Sequence, residues 1–187
     1  MKKCPRMLVL AVAVLFMSLP STVNAAQFVV VTNGYNDNAI LPVEMGWDKN
    51  DAAGNSCRGK NTAPGWSWLG ASDKAQSFAI LIVDPGGAGG AGVNHWVVYN
   101  IPGTATGIST ADIAAAKYSQ GRGTADFVGY RGPCPGIGDA AHHYVVILFA
   151  LDAPPSLPPN LDHDGLLAAM KGHIIAVTTT SFRFQRL

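Results

Sequence analysis

The chain has 187 residues, of which 48% are hydrophobic and 13% are charged, and its formal net charge is +1. This length fits a single domain with a substantial core. A chain with so little net charge does not indicate the strongly basic surface on which nucleic-acid binding depends. The 21 glycines and 12 prolines indicate a loop-rich protein and not a helical bundle.

The first segment, residues 1–25, has the pattern of a secretory signal peptide. Lys2, Lys3 and Arg6 supply its positive charge. An almost wholly apolar run from Met7 to Leu19 follows, and Val23-Asn24-Ala25 matches a cleavage site. The run is shorter than the roughly 20 residues of a membrane span. We expect cleavage and a periplasmic or secreted protein without an integral membrane segment; an uncleaved anchor is the alternative.

Cysteine usage agrees with export. Cys4 precedes the apolar run, which disfavours a lipid anchor, and it would leave with the signal. Cys57 and Cys134 are then the two cysteines of residues 26–187. In an oxidising compartment an isolated pair usually forms a disulfide, and we expect one here. Two unrelated buried thiols are the alternative, because sequence does not establish proximity.

From Gln27 onward, short apolar runs are separated by turns, a pattern typical of an all-β sandwich or barrel. Five runs are predicted as strands: Phe28–Val31, Phe78–Val83, Trp96–Asn100, Tyr144–Leu151 and His173–Phe184. Short helices are predicted at Ala111–Tyr118 and Asp164–Lys171, the second stopped by Gly172. Pro154–Pro159 is expected to be an extended connector. We find no linker and predict one domain over residues 26–187.

Three familiar motifs fail on their context. Gly87–Gly92 satisfies a dinucleotide-binding glycine pattern, but the following Val93–Val98 indicates a strand where that motif needs a helix. We predict a flexible hairpin loop. Gly65–Gly70 nearly matches a nucleophile elbow, yet its second glycine is one residue late and no predicted strand precedes it. Asp162-His163-Asp164 is predicted to cap a helix and not to bind a metal.

Four polar residues stand where apolar runs begin or end: Asp84, His95, His142 and Tyr144. A carboxylate can orient an imidazole, and imidazole and phenol groups can both donate to a phosphate oxygen. Backbone N–H groups around Gly132–Gly136 could add donors. Together these groups would form a small anion site without a nucleophile, a metal or a hydride acceptor. The alternative is that each side chain merely satisfies a local strand end.

Other polar and aromatic residues are given structural roles. His173 opens an apolar run and is predicted to be buried and hydrogen-bonded, not a ligand contact. Trp47, Trp66 and Trp68 are expected to pack in the core or at its rim; an exposed binding surface is the alternative.

Two blocks of the chain resemble the signature regions of the phosphatidylethanolamine-binding protein family, in its bacterial Raf-kinase-inhibitor-like branch. The matching residues are Asp84, Pro85 and His95 in the first block and Pro135, His142 and Tyr144 in the second. The resemblance extends to Cys57–Pro64 and Gly172–Ala176. It implies a mainly β fold, an antiparallel β-sandwich with a Greek-key connection and short peripheral helices. It also implies that the six matching residues bind a phosphate-type anion or phospholipid headgroup.

The chain departs from the family pattern in four places. Gly86-Gly87-Ala88 replaces an acidic residue and a second proline after Asp84-Pro85, and Asn94 replaces an aromatic residue. His143 stands where the family usually has arginine, and Gly136-Ile137 removes a basic residue. These departures predict a looser and less cationic site. Cys57 and Cys134 flank the matching segments, so their disulfide is expected to join two loops at the pocket rim.

The leading functional hypothesis is an exported small-anion binding protein that uses no cofactor or metal. A second hypothesis is an inhibitor of a protease or kinase-like partner protein, or a secreted effector. A hydrolase that uses His95 with Asp84 is ranked last, because serine candidates lack an adjacent base in either block.

Overall fold

The computed structural model describes residues 27–187, so the predicted signal peptide lies outside the described residues. The strands are β1 (Val29–Thr32), β2 (Ala39–Ile40), β3 (Trp66–Leu69), β4 (Ser77–Asp84), β5 (Val93–Pro102), β6 (Gly107–Ile108), β7 (Ser119–Gln120), β8 (His142–Leu151) and β9 (Ile174–Phe184). The helices are α1 (Gly87–Gly90), α2 (Thr110–Ala114) and α3 (His163–Met170), with 3-10 turns at Val43–Met45 and Thr124–Asp126.

The strands form two sheets. The smaller has the order β1-β3-β6 and the larger has the order β2-β9-β8-β4-β5-β7. Only β2 and β9 pair in parallel; the other ladders of the described residues are antiparallel. Within the larger sheet, β8-β4-β5-β7 has the spatial order of a Greek key, with the last strand returning beside the first. The predicted antiparallel sandwich with a Greek-key connection is confirmed.

The main core lies between the two sheets. Trp66 and Trp68 of the small sheet pack in one cluster with Phe78, Trp96 and Val146 of the large sheet. These side chains alternate along their strands with residues of the opposite face, as the two-residue period of a strand requires. The prediction that Trp66 and Trp68 belong to the core is confirmed.

A second apolar cluster covers the outer face of the large sheet, where Leu81 and Phe149 meet Leu166 and Met170 of α3. Asp162 caps α3, because its side chain accepts a hydrogen bond from the Gly165 N–H at 2.8 Å. The predicted helix and its cap are confirmed. Because β4 is buried on both faces, its sequence is a continuous apolar run and not an alternating one.

The five predicted strands are present, with ends that differ by a few residues from the predicted ones. The predicted helix Ala111–Tyr118 is shorter than expected and ends at Ala114, because Ala116 adopts a left-handed backbone with φ of 46°. β3 is not among the predicted strands, although two of its residues, Trp66 and Trp68, are predicted to pack in the core or at its rim. A four-residue strand bounded by two glycines gives too short an alternation to recognise.

The prediction for His173 was wrong about burial. Its side chain is 52% exposed, and its Nδ1 lies 2.9 Å from Asp152 Oδ1. The residue sits in the turn before β9 and not inside the strand, so its ring projects into solvent. Within residues 27–187 no helix is both long enough and apolar enough to cross a bilayer.

Candidate functional site

The site lies at one end of the sandwich interior, where polar side chains continue rows of core residues. Along β4, Phe78, Ile80 and Ile82 belong to the main core, and Asp84 is the next residue of the same row. Tyr144 occupies the matching row of β8. Asp84 is only 2% exposed and Tyr144 only 1%, so both groups are desolvated at this end of the sheet. Because alternate residues of a strand face the same side of the sheet, both side chains face the same end of the sandwich interior.

An irregularity in the ladder brings His95 to the same place. Ile82 pairs with Trp96, but Val83 pairs with Asn94, so His95 has no partner residue on β4. Such a bulge changes the direction in which a strand presents its side chain. His95 is consequently buried, and its ring meets that of Tyr144 edge-on at 5.0 Å between centroids.

The carboxylate of Asp84 accepts hydrogen bonds from three donors. Oδ1 accepts hydrogen bonds from the N–H groups of Gly86 and Gly87, both at 3.0 Å. Oδ2 accepts from Nδ1 of His142 at 2.7 Å. The glycines that replace the family's usual residues thus supply amide donors to the aspartate. Their bonds hold the carboxylate fixed and spread its charge.

His142 lies between two carboxylates. Its Nδ1 is bonded to Asp84, and its Nε2 is 3.8 Å from Oδ2 of Asp139. Asp139 is 55% exposed and also accepts a hydrogen bond from the Gly136 N–H at 3.1 Å. The hydrogen bond to Asp84 sets the ring orientation of His142, and Asp139 lies near the opposite edge of the ring.

His95 is held by the backbone of Arg131. The Arg131 N–H donates to the His95 carbonyl at 2.9 Å, and Nδ1 of His95 lies 2.8 Å from the Arg131 carbonyl oxygen. Because a carbonyl oxygen can only accept, Nδ1 carries the hydrogen and donates it. Burial lowers the pKa of His95 from 6.5 to about 4, so the ring is neutral near pH 7.

Tyr144 presents a phenol at the base of the site. Its ring is stacked on Phe182 at 5.1 Å between centroids and contacts His95 on another side. Burial raises the pKa of the Tyr144 hydroxyl, and the charge of Asp84 adds to the effect. The group therefore stays protonated and can donate a hydrogen bond to a ligand.

Arg131 brings a permanent positive charge to the site. Its guanidinium lies over the Trp47 ring, 4.2 Å from the centroid, in a cation–π contact. Trp47 in turn meets Phe127 edge-on at 6.0 Å. Burial lowers the pKa of the Arg131 guanidinium below its usual value, but arginine remains charged in proteins. Trp47 is half-buried between Arg131 and Phe127, outside the two core clusters of the described residues.

These groups surround one cavity of about 300 Å³. Five of the predicted site residues line it: Asp84, His95, Pro135, His142 and Tyr144. The sixth, Pro85, is exposed and is not among the residues that line the cavity. Pro85 lies in the turn that follows β4, whose next two amides bond back to Asp84. Its contact with a ligand stays a prediction.

Arg131 and Asp139 also line the cavity and were not predicted. Both lie in loops, where sequence gives no period from which to judge the direction of a side chain. The feature of the sequence that could have identified them is that they are charged residues within the second glycine- and proline-rich block. Asp139 leaves the mouth less cationic, which agrees with the expectation drawn from Gly136-Ile137.

The wall formed by Cys134 and Pro135 is tied to the rest of the molecule. Cys57 and Cys134 form the expected disulfide, with Cα atoms 5.4 Å apart. Arg186 is buried and donates to the Pro135 carbonyl at 2.9 Å and to Asp51 Oδ2 at 2.7 Å. This wall is therefore fixed by a covalent bond and a buried ion pair.

The backbone donors expected around Gly132–Gly136 are partly in use. The Gly132 N–H donates to Asn61 Oδ1 at 2.6 Å, and the Gly136 N–H donates to Asp139. These two amides stabilise the loops and are not offered to a ligand. Among residues 27–187, no cluster of three or more histidine, cysteine or acidic side chains has the geometry of a metal site.

The comparison with protein families gives one match. The model described as phosphatidylethanolamine-binding protein matches residues 32–185, a range that contains every lining residue named above.

Individual relatives agree with this match. The UPF0098 protein of Methanothermobacter thermautotrophicus is 33% identical over 148 residues, which cover 77% of this chain and 89% of that protein. LppC of Mycobacterium tuberculosis, named as a candidate lipoprotein, is 35% identical over 67% of this chain and 56% of its own length. The crystal structure of Escherichia coli YbcL has a TM-score of 0.74 and 28% identity, covering 87% of this chain and 100% of YbcL.

Proposed function

Because this chain belongs to the phosphatidylethanolamine-binding protein family, we propose that its cavity binds a small phosphate-type anion. The observation that supports the proposal most strongly is the convergence of Arg131, Tyr144 and His142 on one cavity of about 300 Å³. Guanidinium and phenol groups are donors that suit the oxygens of a phosphate.

The buried aspartate does not oppose this role. Asp84 would repel an anion if its charge were unbalanced in a desolvated site. Its two oxygens instead accept from Gly86, Gly87 and His142. The carboxylate therefore acts as a positioning group, and it turns the opposite edge of the His142 ring toward the cavity mouth.

We propose binding and not catalysis. The Asp84–His142 pair would suit a nucleophilic mechanism only with a hydroxyl or thiol beside the imidazole. The residues that line the cavity include no serine or threonine, and the sulfur of Cys134 is held in the disulfide. Tyr144 is a poor nucleophile, because burial raises the pKa of its hydroxyl.

Export is part of the proposal. It is supported by the signal-like pattern of residues 1–25 and by the Cys57–Cys134 disulfide, since such bonds persist in oxidising compartments. LppC, whose name places it among candidate lipoproteins, is a relative consistent with a role outside the cytoplasm.

Isothermal titration of the purified protein with inorganic phosphate and with phosphorylethanolamine tests the proposal. We expect saturable binding at one site, weakened about tenfold or more by Tyr144→Phe, which removes a cavity donor, and by His142→Ala, which removes an imidazole that lines the cavity. The matched control is His173→Ala. His173 also pairs with a carboxylate, that of Asp152, but it lies on the surface away from the cavity. Absence of binding, or equal affinity in the cavity variants and the wild type, would contradict the proposal.

A further inference from the structure

The cavity contains hydrogen-bond acceptors as well as donors, which is unusual for a site that takes an anion. Arg131 and the Tyr144 hydroxyl are donors. Asp139 and one nitrogen of His95 are acceptors that face the same space. The oxygens of an anion repel such acceptors unless a hydrogen lies between them.

The acceptor on His95 follows from its hydrogen bond to the backbone. Nδ1 gives its hydrogen to the Arg131 carbonyl oxygen at 2.8 Å, and the buried ring is packed against Tyr144. Nε2 has no hydrogen-bond partner among the described residues, although the ring lines the cavity. With burial lowering the pKa of His95 to about 4, Nε2 carries a lone pair and no hydrogen near neutral pH.

The second acceptor is the carboxylate of Asp139 at the cavity mouth. Its Oδ2 receives one hydrogen bond from the Gly136 N–H at 3.1 Å and lies 3.8 Å from His142 Nε2. An ionised carboxylate has about four lone-pair positions, so these neighbours leave it with capacity to accept more. Asp84 differs, because it is only 2% exposed and already accepts three hydrogen bonds.

We propose that this cavity selects oxyanions that carry a proton, namely hydrogen phosphate and the singly protonated form of phosphate monoesters, over oxyanions that carry none, such as sulfate, sulfate esters and phosphodiesters. The inference rests on the proposed anion binding and narrows its ligand class. The P–O–H group donates to His95 Nε2 or to Asp139, while the other oxygens accept from Tyr144 and Arg131. A ligand without that hydrogen leaves the buried Nε2 of His95 facing an oxygen, and a site with unpaired polar groups discriminates strongly.

Methyl phosphate and methyl sulfate form the sharpest ligand pair. Below a pH of about 6, where a phosphate monoester holds one proton, both ions have one negative charge and nearly the same shape. Titration of the full wild-type protein at about pH 5.5 should give an affinity for methyl phosphate at least about tenfold higher than for methyl sulfate. Dimethyl phosphate, a diester with the same charge, should bind as weakly as methyl sulfate.

Two further ligands distinguish free phosphate compounds from lipid headgroups. Phosphorylethanolamine is a monoester and should bind, whereas glycerophosphoethanolamine is a diester and should bind at least about tenfold more weakly. Equal affinity for methyl phosphate and methyl sulfate would overturn the proposed selectivity. Tighter binding of glycerophosphoethanolamine than of phosphorylethanolamine would overturn it as well. Failure of every anion to bind would instead overturn the proposed function.

Variants of the acceptors test the mechanism of selection. His95→Gln and Asp139→Asn each place an amide N–H where the wild type has only an acceptor. Each variant is expected to lower the ratio of the affinity for methyl phosphate to the affinity for methyl sulfate. The main cause should be stronger binding of methyl sulfate. Because Asp139 is exposed at the cavity mouth, Asp139→Asn remains informative if His95→Gln does not fold. An unchanged ratio in Asp139→Asn and in a folded His95→Gln would contradict the assignment of these acceptors.

Discussion

At the scale of single residues, Asp84 is the group on which the site geometry depends. A buried carboxylate with three internal donors fixes both the β4–β5 turn and the ring of His142. The sequence placed this aspartate at the end of an apolar run, and it was predicted as a site residue only together with His95, His142 and Tyr144 and with the family resemblance. The sequence did not reveal that the neighbouring glycines would bond to the carboxylate.

Replacing Asp84 with asparagine should destabilise the protein and weaken anion binding. An amide has one acceptor oxygen for three donors, so at least one buried donor loses its partner at a cost of about 1–3 kcal/mol in the free energy of unfolding. Urea unfolding measures the loss, and phosphate titration measures the affinity. Asp152→Asn is the matched control, because Asp152 bonds His173 on the surface and should change stability by less than about 0.5 kcal/mol.

At the scale of elements, the strands that carry the site were predictable and the loops that complete it were not. Apolar runs gave β4, β5 and β8, and the polar residues at their ends indicated one edge of a sheet. The bulge that directs His95 inward depends on pairing with β4, and no local pattern reveals it. Arg131 reaches the cavity because its loop is bonded to His95 and Trp47, which are distant in sequence.

The disulfide joins two loops and should stabilise both the fold and the cavity wall. The two cysteines are separated by 77 residues, for which the chain-entropy model predicts about 4 kcal/mol of stabilisation. The double variant Cys57→Ala, Cys134→Ala should therefore unfold at lower urea concentration and bind phosphate more weakly. A reducing agent should lower the urea midpoint of the wild type and leave the midpoint of the double variant unchanged. Equal unfolding midpoints without reductant would show that the bond contributes nothing.

At the scale of the whole molecule, the buried neutral His95 should make stability depend on pH. Its pKa is about 4 in the folded protein and about 6.5 when unfolded, so between these values the unfolded chain binds more protons. The free energy of unfolding should then fall as pH drops from about 6.5 to about 4, by up to about 3 kcal/mol. Urea unfolding across this range should show a smaller fall in His95→Gln, and identical slopes would contradict this account.

Carboxylates contribute in a different pH range. Hydrogen bonds from Ser181 lower the pKa of Asp37, and those from Lys117 lower the pKa of Asp112 to about 2. Their stabilisation is present above a pH of about 4 and is lost only as pH falls further. The contribution of His95 to the free energy of unfolding can therefore be measured separately from theirs, because it changes at higher pH.

The central claim is that an anion binds beside Tyr144 and Arg131, and anomalous diffraction from crystals grown with arsenate tests it most directly. Arsenate has the shape and protonation of phosphate, and its arsenic atom can be located without bias. We predict an arsenic peak in the cavity, with an arsenate oxygen about 3 Å or less from the Tyr144 hydroxyl. An empty cavity with arsenate bound elsewhere on the protein would contradict the account.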